Sequence, residues 1–217
     1  HNPEFTLLEW YRPGFSLEKL IAEVVALLWQ VLATKGTTRV SFRDAFRAAT
    51  GLDPMTASAA ELDACARRKD RHLPPLERAA LVDWLMATEV EAGFNKEDIT
   101  IVTDFPAWQS ALAEVAEDGQ GTPVARRFEV YAGGVELANG YQELRDAGEQ
   151  EQRFERVRDW RRANGKSLPD SDPWLLAALA QGLPPVCGVA LGVDRLLMVK
   201  LDVGRIDQVM AFPWSRA

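Results

Sequence analysis

Histidine is nearly missing from this chain: His1 and His72 are the only two in 217 residues. The shortage excludes several chemistries. A Cys/His zinc centre has too few ligands to draw on. A Ser-His-Asp or Cys-His nucleophile would need one of those two histidines, and neither has a nucleophile motif beside it. Cysteine is as rare: Cys65 and Cys187 lie far apart with no metal spacing, so a reducing cytosol is the simplest setting. No GxxxxGK[ST] loop is present, and no GxGxxG follows a strand, so any nucleotide site must be built another way. No apolar run approaches the roughly 20 residues of a membrane helix, and no membrane partner is expected. Positive charge is in deficit. The net charge of −7 argues against a broad nucleic-acid surface while leaving room for a local basic patch.

What the chain does have is the make-up of an ordinary globular protein. Its residues are 47% hydrophobic and 26% charged, which sets it apart from disordered chains. It opens HNPEFTLLEWYRPG, straight into an alternating, aromatic-rich stretch, whereas a free N-terminus is usually polar and frayed. Residues 1–12 therefore read as the middle of something. Phe5 to Arg12 reads as a strand ended by Pro13-Gly14. Leu17, Leu20, Ile21, Val24, Leu28, Val31 and Leu32 recur at helical spacing, with Ser16 as cap and Gly36 as stop. Residues 41–92 read as three short helices, SFRDAFRAATG, SAAELDACARRKD and LERAALVDWLMATEV, forming a helical insertion or arm. ITIVTDFP predicts a strand, ALAEVAEDGQGTP a loop, and RRFEVYAGGVELANG a hairpin about Gly133-Gly134. Residues 143–163 predict a long charged helix stopped by Asn164-Gly165, and DPWLLAALAQGLPP a helix capped by Asp172. CGVALGVDRLLMVKLD reads as strand, glycine turn and helix, and QVMAF as a last short strand. Helices mixed with mostly antiparallel strands make the class α+β.

With Gly133-Gly134 at the turn, Tyr131 pairs with Glu136 and Glu129 with Ala138. Glu129, Tyr131 and Glu136 then share one face. Carboxylates that close need a cation, a shared proton or full solvation. A solvated surface hairpin is the plain reading. The pattern also suits Mg2+, which takes one or two carboxylates and completes its shell with water and phosphate. Glu143, at the start of the next helix, reads alone as a solvated first-turn acid. GVALGVDR sets Gly188 and Gly192 around a strand end and Arg195 in the first helical turn. There a guanidinium can lie on a flat ring or clamp a phosphate, although a plain strand-to-helix connection has the same pattern. Taken singly, Phe5, Tyr11 and Tyr141 read as core, Trp10 and Tyr131 as packing, and Trp108 and Trp174 as core or interface. Cys187 reads as a small buried hydrophobe.

Together, HNPEFTLLEWY, FEVYAGGVELANGYQEL and GVALGVDRLLM, in that order, resemble the class II aminoacyl-tRNA synthetase catalytic domain of the lysine type. HNPEFT with the following E-x-Y resembles the second half of that class's motif 2, and GVALGVDR its motif 3. The resemblance covers nearly the whole chain, 1–217, with residues 37–95 a helical insertion and its least diagnostic part. EWYRPG, FPAWQSALA and VALGVDR are similar to the branch that attaches (R)-β-lysine to a lysine of elongation factor P. The usual motif 3 reads GxGxGxxR. Here Ala190 stands at the middle glycine, where a methyl could disfavour an α-amino acid.

The resemblance implies a class II catalytic fold, a mostly antiparallel sheet flanked by helices and incomplete at its N-terminus. Motif 1 and the Arg-x-Glu strand of motif 2 would precede this chain, so little activity is expected of it alone. The implied activity is a ligase's: ATP activates lysine or (R)-β-lysine as an adenylate, and elongation factor P takes the acyl group. The alternatives are a lysyl-tRNA synthetase core that charges tRNA, or a non-catalytic binding module. By the same resemblance, Phe5 and Arg195 would sandwich adenine, with His1, Asn2, Leu137 and Gly192 along the nucleotide. Glu129 and Glu136 would hold Mg2+, which makes Glu136 and Arg195 the catalytic pair. Tyr11, Asn139, Tyr141 and Glu143 would line the amino-acid pocket, near Glu9, with Glu143 as the ammonium partner. A cytoplasmic homodimer is implied for the full-length protein.

Overall fold

A computed structural model describes residues 2–34 and 36–216. Strand β1 (Leu7–Pro13) runs into helix α1 (Leu17–Val31). Strand β2 (Gly36–Ser41) is followed by α2 (Phe42–Thr50), α3 (Ala59–Lys69) and α4 (Arg78–Leu85). Next come β3 (Asp98–Pro106), the short β4 (Val115–Glu117) and the hairpin β5 (Pro123–Ala132) and β6 (Val135–Gln142). Helices α5 (Ala147–Ala163) and α6 (Pro173–Gln181) precede β7 (Val186–Gly192) and α7 (Val193–Leu201). Among the described residues the strands form one sheet in the order β1-β7-β6-β5-β3-β2, with β4 beside β5. Only β2 and β3 pair in parallel.

One face of the sheet is closed by α1. The Ser16 hydroxyl accepts from the Lys19 N–H at its start, a cap worth about 1 kcal/mol. Leu17, Leu20, Ile21, Val24 and Leu28 form its buried stripe against Ile99, Ile101, Phe128, Val130, Val189 and Leu191. The helix ends at Val31. The expected stop, Gly36, lies further on and instead opens β2, in register with Asp98.

The opposite face is covered at one end only. There α2, α3 and α4 pack Phe42, Phe46, Leu62, Leu81 and Leu85 with Val102, Phe105, Ala125 and Tyr131 of the sheet. The stretch expected to be wholly helical thus begins inside a strand, and its helices belong to a core shared with the sheet. The third expected helix is α4 continued through a π turn, Met86–Val90, and a 3-10 turn, Glu91–Gly93. At the other end, β1, β7 and β6 leave this face open.

Four local expectations need correction. Glu143 is not helical: it bridges Ala113 beyond β6, and α5 starts at Ala147 behind the Asp146 cap. The expected 111–123 loop contains β4. QVMAF forms no strand, its first residue closing a 3-10 turn, Ile206–Gln208. Trp108 and Trp174, read as core or interface, stand exposed, which removes the core reading.

Candidate active site

The open face owes its chemistry to a β-bulge. Glu129 lies opposite Asn139 and Tyr131 opposite Glu136, so β6 carries one residue more than β5. The expected Glu129–Ala138 pairing is off by one for this reason. The extra residue is Leu137, and both Leu137 and Ala138 bury in the α1 core. Three positions apart, Glu136 and Asn139 would point to opposite faces of a regular strand. The bulge reverses the alternation and brings both onto the open face.

Two cavities adjoin there. The larger, about 260 Å3, is walled by Asn2, Phe5, Glu136, Leu137, Gly192 and Arg195. The smaller, about 150 Å3, is walled by Glu9, Tyr11, Tyr141, Glu143 and Gly188. Asn139 and Ala190, paired across β6 and β7, line both. The sequence-predicted residues other than His1 and Glu129 are therefore brought together in two groups with a common wall, and Glu129 lines neither cavity. His1 lies outside the described residues.

In the larger cavity Phe5 is largely exposed, its ring free to take a flat ligand. Asp194 accepts from the Thr6 N–H at 2.6 Å and fixes the chain beside that ring. Asn2 borders the cavity, but its amide is already used: Oδ1 accepts from the Trp214 N–H at 2.9 Å, and Nδ2 donates to the Glu4 carbonyl. Arg195 Nη1 donates to the Glu136 carbonyl at 2.9 Å and to its carboxylate at 3.1 Å.

Behind Glu136 lies an acidic network. The Tyr131 hydroxyl donates to Glu129, and its oxygen lies 3.3 Å from the carboxyl of Glu91, which comes from the 3-10 turn after the π turn. Arg127 also pairs with Glu129. Burial pushes the Glu129 carboxyl above its ordinary range. Arg127 and Tyr131 oppose the shift, while Glu136 and Glu91 add to it. Burial raises Glu91 as well. Glu91, Glu129 and Glu136 supply carboxylate oxygens, the ligand type that Mg2+ takes, and Arg127 and Arg195 are the cations now paired with Glu129 and Glu136. Among the described residues, no three acidic, histidine or cysteine side chains form a metal cage of their own.

In the smaller cavity, Glu143 is half-buried and makes no hydrogen bond or ion pair through its side chain among the described residues. Burial raises its pKa to about 7. Burial first, and Glu143 second, raise the Tyr11 and Tyr141 hydroxyls too. The pocket exists because Gly188 lacks a side chain: a Cβ there would lie 2.6 Å from Glu143 Oε1 and 2.6 Å from the Tyr11 ring. Cys187, on the other face, is buried as expected, with Sγ on the Phe15 carbonyl at 3.2 Å.

The model of the tRNA synthetases class II (D, K and N) family matches residues 1–216. The chain belongs to this family. Its fold is accordingly the class II synthetase domain, α+β with a mostly antiparallel sheet. A Pasteurella multocida protein named "Elongation factor P--(R)-beta-lysine ligase" is 46% identical over 215 residues, covering 98% of this chain and 65% of the relative. Proteins of the same name from Mannheimia succiniciproducens and Haemophilus ducreyi are 46% and 44% identical, covering 100% of this chain and 67% and 66% of their own length. The chain thus spans about two thirds of the length of these curated relatives.

Within this family domain, residue-by-residue reading missed four groups. Arg127 stands two places before Glu129, so strand alternation alone puts it on the same face. Tyr131, read as packing, bridges two carboxylates. Asp194 and Glu91 had no local signal, since their partners are 188 and 40 residues away.

Proposed function

We propose that the protein activates (R)-β-lysine or lysine with ATP and transfers the acyl group to a lysine of elongation factor P. The observation that carries this reading is Glu143: a half-buried carboxylate, unpartnered among the described residues, in a pocket whose wall is shared with a larger cavity beside Phe5 and Arg195. Such a group needs a cation, and a substrate ammonium supplies one. The relatives' name agrees with that substrate class.

The division of labour follows from the cavities. Glu143 would hold the substrate ammonium while Tyr11 and Tyr141 shape the pocket around its alkyl chain. Passing Asn139 and Ala190, the substrate carboxylate enters the larger cavity. Phe5 and Arg195 would grip adenine there, each contact worth roughly 0.5–2 kcal/mol. To do so Arg195 must leave Glu136, freeing that carboxylate. Glu129 and Glu136 would hold Mg2+, which when bound neutralises phosphate charge. One carboxylate oxygen of the substrate then bonds to the α-phosphorus as the bond to pyrophosphate breaks. In the second step the acceptor amine attacks the acyl carbon, AMP leaves, and the amine loses a proton as the amide forms. The protein's part is positioning and charge stabilisation, which suits a chain so poor in histidine.

The family also includes enzymes of tRNA charging, and a lysyl-tRNA synthetase core is the second reading. Supplying the full-length protein with ATP and either lysine isomer, and offering elongation factor P and lysine tRNA side by side, separates the two. Labelled acyl group on elongation factor P supports the first reading, and label on tRNA alone overturns it. We further place the protein in the cytoplasm as a homodimer; its two cysteines are buried free thiols, as a reducing compartment allows. No helix among the described residues is long and apolar enough to cross a membrane.

A further inference from the structure

Arg127 touches both halves of the site. Its Nε donates to Asn139 Oδ1 at 3.1 Å, its Nη1 to the Gln109 carbonyl at 3.0 Å and its Nη2 to Glu129. The guanidinium also lies 4.6 Å from the centre of the Phe105 ring. Pinned on four sides and mostly buried, it cannot swing to another partner.

A guanidinium has donors only, so the atom of Asn139 that faces it must be the oxygen. The amide is thereby oriented. Its Nδ2 keeps both hydrogens, and no acceptor among the described residues takes them. Asn139 is also one of the two residues that wall both cavities. A substrate whose ammonium sits on Glu143 must carry its other end past this wall. A donor pair there favours an acceptor-only group, a carboxylate.

We propose that Arg127 is a positioning residue that locks the Asn139 amide with its N–H2 toward the shared wall, and so selects substrates bearing a free carboxylate there. The inference rests on the amino-acid pocket of the preceding section and adds the group that sets its polarity. Once Arg127 is gone, the amide can turn over and present its oxygen, which repels a carboxylate.

The test compares two ligands by calorimetry on the full-length protein without ATP: (R)-β-lysine and the diamine left when its carboxylate is removed. Arg127→Met is expected to weaken (R)-β-lysine about tenfold, near the worth of one charge-assisted hydrogen bond, and to leave the diamine within about twofold. Arg127→Lys keeps a donor-only cation and is expected to recover part of the loss. Asn139→Asp, which removes the donor pair, should weaken (R)-β-lysine and tighten the diamine. Arg127→Met added to Asn139→Ala should cost nothing further, because the first acts through the second. Equal losses for both ligands, or losses that multiply in the double variant, overturn the inference. If Arg127→Met does not fold, as judged by circular dichroism, Arg127→Lys and Asn139→Asp decide the matter by the same ligand comparison. Binding of neither ligand by the unmodified protein overturns the pocket assignment itself, and this inference with it.

Discussion

At the scale of single residues, Glu143 is half-buried without a side-chain partner among the described residues, which is what recommends it as the proposed ammonium site. Its folded pKa is raised from 4.5 to about 7, so an empty pocket is about half protonated at neutral pH. An incoming ammonium favours the ionised form. Amino-acid binding should therefore release a proton and weaken about tenfold per unit below pH 7. Calorimetry in buffers of differing ionisation heat reads both effects. Glu143→Gln removes the charge at nearly constant shape. It should lose about 1.5–3 kcal/mol of lysine binding, near the worth of a charge-assisted hydrogen bond. Lysine-dependent pyrophosphate exchange in the full-length protein checks this, and unchanged exchange would sink the role. Ala190 lines both cavities, so its methyl stands where the two ends of a substrate diverge. Ala190→Gly should improve activation of α-lysine relative to (R)-β-lysine; an unaltered ratio would dismiss the idea.

At the scale of elements, the chain's local patterns were legible wherever they repeat. The α1 stripe, the Ser16 and Asp172 caps and the Gly133-Gly134 turn all follow from spacing and residue type. Both turn glycines have positive φ, which no other residue adopts as cheaply. The bulge at Leu137 was not legible, because ELANG reads equally well as a regular strand. The register of β5 and β6 therefore came out one residue wrong near Ala138. Gly188 is the companion case. In the sequence it is one glycine of a motif; in the sheet it is the gap that both Tyr11 and Glu143 border. Gly188→Ala should abolish amino-acid binding while ATP binding, in the cavity that Gly188 does not line, persists. Titrating the full-length protein with each ligand separates the two. Ser16→Ala, far from the site, should lower stability by about 1 kcal/mol in urea melts and leave ligand binding alone.

At the scale of the whole molecule, α1 closes one face of the sheet, whereas α2–α4 cover only part of the other. Burying carboxylates on the remaining open half works against stability. Glu143, Glu129 and Glu91 all have folded pKa values raised by burial. The folded state therefore binds more protons than the unfolded one, and stability falls as pH rises. For Glu143 the contribution is full below pH 4.5 and is gone once pH passes about 7. The ligand-free protein should lose stability from pH 5 to pH 8. Glu143→Gln should remove on the order of 1–2 kcal/mol of that loss, a figure reduced for partial solvent screening. Urea melts at the two pH values measure it, and a slope that the variant leaves unchanged would refute the linkage.

The sequence by itself determined the class of the fold, the paired elements and the three ordered motifs, because each is carried by short-range periodicity or by neighbouring residues. Through its likeness to a known family it also singled out much of the lining of both cavities, though not Asp194. Only the tertiary structure decided which of those side chains are already engaged. Asn2 is tied to Trp214, Arg195 to Glu136, and Glu129 to Arg127 and Tyr131, while Glu143 is left unpartnered. Asn2 with Trp214 and Arg195 with Glu136 join residues 212 and 59 positions apart, through packing that no local spacing encodes. Arg127 and Tyr131 flank Glu129 two places away on its own strand, where alternation sets the shared face and burial sets the pairing.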